Sequence, residues 1–142
     1  MKKVTQIFAA LIIFIFAAGN ISAQSEEHPL LVVSFQKTKL ADVGTFDKLV
    51  NEKFAPILNG MVDEGLLYGW GLFNHAWGDE WNANVYYTVK DMDAFSKFWD
   101  EYVIRVAEKQ PDAWKELRGY IQEHKDNIYS IQNQYPMPPQ KN

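Results

Sequence analysis

Between residues 30 and 135 the spacing of apolar side chains switches repeatedly between two and three-or-four, and that alternation limits the chain to a few folds. The stretch 30–39, LLVVSFQKTK, is rich in β-branched and apolar residues and too short for a typical helix, so it reads as a strand. Over residues 41–65, Phe46, Leu49, Val50, Phe54, Ile57, Met61 and Val62 recur at helical spacing. Asp42 or Thr45 can cap the start of that helix, and Gly65 can supply a left-handed residue at its end. Pro56 has no N–H and crowds the preceding turn, which predicts a kink or break. Two aromatic-rich runs, 66–77 and 81–90, flank Gly78, Asp79 and Glu80 and predict a hairpin. A second helix is predicted over 91–110, capped by Asp91, with Phe95, Phe98, Trp99, Tyr102, Val103 and Val106 along one face. Pro111 ends it and suits the first position of a short helix over 111–122, with Trp114, Leu117 and Ile121 inward. A last strand follows over 126–135, and the proline-rich tail 136–142 is expected to fray.

The order β-α-β-β-α-α-β predicts an α+β protein: a ferredoxin-like split βαβ with a four-stranded antiparallel sheet and its helices on one face. With that order, the aromatic-rich hairpin strands, and HAWGDEWN followed by VYYTVKDMDAFSKFW, the chain resembles the dimeric α/β-barrel superfamily over residues 30–135. That superfamily includes antibiotic-biosynthesis-type monooxygenases, small isomerases, stress-responsive barrel proteins and haem-handling enzymes. The resemblance implies a homodimer whose two sheets close face to face.

Residues 1–23 combine Lys2 and Lys3, an apolar run over 7–18 and a small residue at Ala23. This pattern predicts a signal peptide cut after Ala23 and a periplasmic or secreted protein with no membrane attachment after cleavage. The run of 12 is too short for a spanning helix, which needs roughly 20 apolar residues. Residues 24–142 then form a single domain, large enough for one core. Without a cysteine there is neither bacterial lipidation nor a disulfide, so packing or association must supply stability. Losing Lys2 and Lys3 moves the formal charge from −4 to −6, a sign that argues against nucleic acid or anionic lipid as a partner.

Helices cover one face of such a sheet, and the other must be polar or find a partner. In the third strand Asn82, Asn84, Tyr86 and Thr88 alternate with Trp81, Ala83, Val85, Tyr87 and Val89, so neither side carries charge. An exposed aromatic face of that kind favours a homodimer; a monomer covered by its third helix and termini is the alternative. A three-residue turn at 78–80 pairs Phe73 with Val85, lets Gly71 make room for Tyr87 beneath the helices, and is the favoured register. It places Tyr68, Trp70, Leu72 and Asn74 with Asn84 and Tyr86 around a cavity, with His75 near its rim. A two-residue turn flips every partner and groups His75 and Trp77 with Asn82, Asn84 and Tyr86 instead.

The expected ligand is small and apolar or aromatic. The resemblance also implies an enzyme reading, a cofactor-independent monooxygenase or isomerase acting on a small aromatic or polyketide-like substrate. Asn84 would then donate to a developing oxyanion and Tyr86 would donate a proton. The alternative is that these Trp and Tyr side chains simply fill the subunit interface. His75, Asp79 and Glu80 share one hairpin tip and are not expected to converge on a metal. Haem-binding relatives typically carry a histidine on the second long helix and an asparagine on the first strand. Here that helix has no histidine and the strand offers Ser34 and Gln36, so no cofactor is expected. His124 reads as part of a connector, and no Ser-His-Asp arrangement can be placed from the sequence.

Overall fold

Each change of hydrophobic period becomes a change of element in the computed structural model, which describes residues 28–78 and 80–133. The expected signal peptide, Asp79 and the C-terminal tail lie outside the described residues. The chain runs through β1 (Leu30–Thr38), a 3₁₀ turn (Leu40–Asp42), α1 (Val43–Leu49), a π-helical segment (Val50–Phe54) and α2 (Ala55–Asp63). It continues through β2 (Gly69–Phe73), β3 (Ala83–Val89), α3 (Met92–Lys109), α4 (Ala113–Tyr120) and β4 (Ile121–Ser130). The strands form one antiparallel sheet in the order β2-β3-β1-β4, the α+β, ferredoxin-like architecture that the sequence predicts.

Local chemistry explains the helices. Pro56 offers no N–H to the carbonyl four residues before it, and the chain widens to π geometry just ahead of it, with Ala55 N–H bonded to Val50 O. The helical run therefore loosens rather than breaks. Asp42 occupies the N-cap position but makes no side-chain bond, and the 3₁₀ turn leads into α1 instead. At the end of α2, Gly65 has φ 80°, and the N–H groups of Gly65 and Leu66 return to Val62 O and Met61 O at 2.9 and 3.0 Å. These two bonds satisfy carbonyls that the helix would otherwise leave open. Asp91 caps α3 as expected, its carboxylate accepting from Ala94 N at 2.8 Å. The core lies between the helices and one sheet face, where Val32, Val85 and Tyr87 meet Phe46, Phe54, Phe98 and Tyr102.

Two strand expectations need correction. β2 is short, ending at Phe73, and β3 does not begin until Ala83, so the two strands are not joined by a tight turn. Its register sets Phe73 opposite Asn84 and Trp70 opposite Tyr87, one residue away from the favoured pairing. β1, not the turn, fixes the start of β3. The Asn82 amide accepts from Thr38 N at 2.9 Å and donates to Thr38 O at 3.0 Å, standing in for a main-chain pair. Asn84 Oδ1 accepts from Gln36 N at 3.3 Å, and its Nδ2 donates to Trp81 O at 2.9 Å. Gly71 consequently faces Tyr86, not Tyr87; a Cβ there would lie 2.3 Å from a Tyr86 ring carbon. The second correction is β4, which begins at Ile121 directly after α4 rather than at residue 126, so His124 and Asp126 are strand residues.

Candidate functional site

The register decides which side chains look toward the helices. On β1 these are Val32, Ser34 and Gln36; across from them stand Val85 and Tyr87 of β3 and His124 and Asp126 of β4. Between this face and the helices is a cavity of about 540 Å³, within the range of about 300–1,000 Å³ typical of small-molecule sites. Its helical walls are Phe46, Phe54 and Leu58 on one side and Trp99, Tyr102 and Trp114 on the other. Phe54 meets Trp114 edge-on at 4.9 Å and Trp99 lies 6.3 Å from Trp114, so the rings brace one another. Exposed lining residues mark the mouth: Trp99 and Val103 on α3, Arg118 on α4, His124 and Asp126 on β4.

Burial holds the Tyr87 hydroxyl far above the ordinary phenol range; the same burial, reinforced by Tyr87, does so for Tyr102. Both are hydrogen-bond donors at physiological pH, not bases. Trp114 Nε1 is buried without an acceptor, a deficit worth about 1–3 kcal/mol.

One edge of the cavity carries a polar network. Ser34 Oγ lies 3.1 Å from His124 Nε2, and the same nitrogen lies 3.0 Å from Asp126 Oδ1. A nucleophilic triad needs its serine and aspartate on opposite imidazole nitrogens, so this group is not one. A carboxylate only accepts, so Nε2 must carry the proton and Nδ1 is the basic nitrogen of the neutral ring. Gln36 is satisfied with its amide turned so that nitrogen donates to Ser34 O and Ala83 O at 2.8 and 2.9 Å. Its oxygen then accepts from the Ser34 hydroxyl at 2.9 Å. Ser34 is thereby committed as a donor to Gln36 and as an acceptor from His124. Among the described residues, His124 Nδ1 has no partner.

None of the seven residues expected around a cavity lines this one. Trp70 and Leu72 lie on the helix side, where Trp70 Nε1 donates to Asn59 Oδ1 at 2.9 Å. Asn84 and Tyr86 lie on the opposite face, Asn84 only 2% exposed and Tyr86 6.1 Å from the Phe73 ring. Tyr68 precedes β2 on the surface, and Asn74 leaves the sheet to donate to Asp47 Oδ2 at 2.6 Å. His75 belongs to the same connection and is half-buried. The sheet register therefore separates the expected set. Sequence reasoning missed His124, Asp126 and Arg118. Positions 124 and 126 alternate opposite Gln36 and Ser34, a signal visible only once β4 is extended upstream.

No family model and no curated protein matches the chain. Solved structures do. A NIPSNAP family protein of unknown function from Agrobacterium tumefaciens superposes with a TM-score of 0.63 at 12% identity, covering 78% of this chain and 95% of that one. A dimeric ferredoxin-like protein from an uncultured marine organism gives 0.61 at 12% identity, covering 79% and 94%. A putative antibiotic biosynthesis monooxygenase from Nitrosomonas europaea gives 0.55 at 12% identity, covering 78% and 95%. At these identities the likeness is one of fold. The chain has the ferredoxin-like fold shared by NIPSNAP, dimeric ferredoxin-like and antibiotic-biosynthesis-monooxygenase-like proteins.

Proposed function

We propose that this protein is exported and holds a small, largely apolar molecule in the cavity beneath its helices, as a homodimer joined through the opposite sheet face. The observation that carries the reading is the cavity itself: aromatic walls, a hydrogen-bonded polar edge and a mouth between α3, α4 and β4. Export is supported by the charged start and short apolar run of residues 1–23. The homodimer is supported by the aromatic β2–β3 part of the open face, which carries no charged side chain, and by a structural neighbour described as dimeric.

Binding can be tested with the neutral fluorophore N-phenyl-1-naphthylamine. It should bind saturably, one per chain, and Val103→Trp at the mouth should weaken binding about tenfold or more, as filling a pocket does. Circular dichroism should remain unchanged. Unsaturable binding, or binding indifferent to Val103→Trp, rejects the site.

A cofactor-independent oxygenase or isomerase is favoured by one arrangement. His124 Nδ1 is a basic nitrogen at the cavity mouth, its ring oriented by Asp126 and Ser34 through Nε2. Such a group can take a proton from an enolisable phenol. If so, the protein should speed deuterium exchange into that substrate, and His124→Gln should abolish the exchange while leaving N-phenyl-1-naphthylamine bound. Exchange unaffected by the substitution excludes His124 as the base.

A further inference from the structure

We propose that the molecule held in the cavity is a small aromatic acid, and that Arg118 recognises its single anionic group at the mouth. The inference rests on the cavity being the ligand site. The chain has only two arginines, and they are placed very differently. Arg105 is gripped by Glu64 at 2.8 and 2.7 Å and by Glu101 at 2.8 Å. Arg118 is exposed, lines the cavity, and has no acidic partner among the described residues. Its position follows from α4: Trp114, Leu117 and Arg118 share one helical face, so the wall that supplies apolar surface also carries the guanidinium to the rim.

The remaining polar groups restrict where a charged group can sit. Inside, Ser34 and Gln36 already satisfy one another, Tyr87 and Tyr102 stay protonated, Trp114 adds one buried, uncharged N–H, and the other walls are apolar. A carboxylate or sulfonate pushed inward would lose its water and meet no cation. Asp126, the only carboxylate in the lining, is engaged by His124 at 3.0 Å. Arg118 is thus the unengaged charge of the site, and its planar fork suits a two-oxygen anion. The chain as a whole is net negative. A preference for anions must therefore come from the mouth rather than from the overall field.

The test compares two probes with similar ring systems, N-phenyl-1-naphthylamine and its sulfonated relative 1-anilinonaphthalene-8-sulfonate. Wild type should bind the sulfonate about tenfold more tightly, the scale of one charge-assisted bond at a partly solvated site. Arg118→Gln should bring the ratio of the two Kd values close to one, Arg118→Lys should keep part of it, and Asp126→Asn should increase it. Circular dichroism should report an intact fold for all three. If both probes bind wild type equally and Arg118→Gln leaves their ratio unchanged, the acid-recognition proposal is overturned while the cavity reading stands. If neither probe binds, or Val103→Trp leaves both Kd values unchanged, the cavity reading itself fails and this proposal falls with it.

Discussion

Gly71 shows how a single hydrogen in place of a side chain sets a surface. Its missing Cβ is the space in which the Tyr86 ring lies. Gly71→Ala should destabilise the protein by about 1–2 kcal/mol in urea unfolding, because the ring must swing away from its bed. In a Tyr86→Ala background the same change should cost almost nothing, and a cost equal in both backgrounds would show that the contact is not responsible. Asn84 teaches a different lesson. From the sequence it is a candidate oxyanion donor; in the fold its oxygen and nitrogen are committed to Gln36 N and Trp81 O. Nothing in the local string distinguishes those uses, because the partner that claims the amide oxygen lies 48 positions away. Asn84→Ala should therefore lower stability by about 1–3 kcal/mol through the unpaired main-chain groups it leaves.

Elements were legible where their signals are local. α3 has a capping aspartate, a clear apolar stripe and a following proline, all within one stretch, and it forms over Met92–Lys109 as expected. Its cap also has a pH signature. The Ala94 N–H holds the Asp91 carboxyl below its ordinary value of 3.8. The folded pKa is the depressed one, so the stabilisation is present above the ordinary carboxylate range and lost as pH falls through the folded value. Asp91→Ala should cost about 1 kcal/mol near neutrality. Urea midpoints measured down the pH scale should show that difference close below the folded pKa, whereas Asp91→Asn should retain a cap throughout. β4 was legible only in its second half. Residues 122–126 are polar and exposed, with no alternation for a periodicity argument to detect. They become strand because β1 offers them an edge, a tertiary cause. The hairpin register failed for the same reason, since the asparagine amides that determine it reach across to another strand.

For the whole molecule, the sequence of periods was enough to predict the layers, but the cavity was not predictable. Its walls come from β1, α1, the π segment, α2, β3, α3, α4 and β4, and no short window contains two facing walls. The cavity lies on the helix side of the sheet, not on the aromatic face where the sequence placed a chamber between two subunits. The open face retains Phe35, Phe73, Tyr86 and Tyr129 as material for association, with Phe73 39% and Tyr129 44% exposed. For the proposed homodimer, Phe73→Glu should leave the subunit fold intact yet shift sedimentation from dimer to monomer. A species that sediments unchanged would exclude that face. Trp70→Ala should have the reverse profile, lowering subunit stability with little effect on association, because its indole packs under the helices and bonds Asn59.

The mouth between α3, α4 and β4 lies on the far side of the sheet from the surface assigned to pairing. Two subunits joined back to back would each keep a private doorway, so loading and release need no parting of the pair. Titration curves should then be hyperbolic rather than sigmoidal, with the same half-saturation whether the solution is dilute enough to hold singles or concentrated enough to hold pairs.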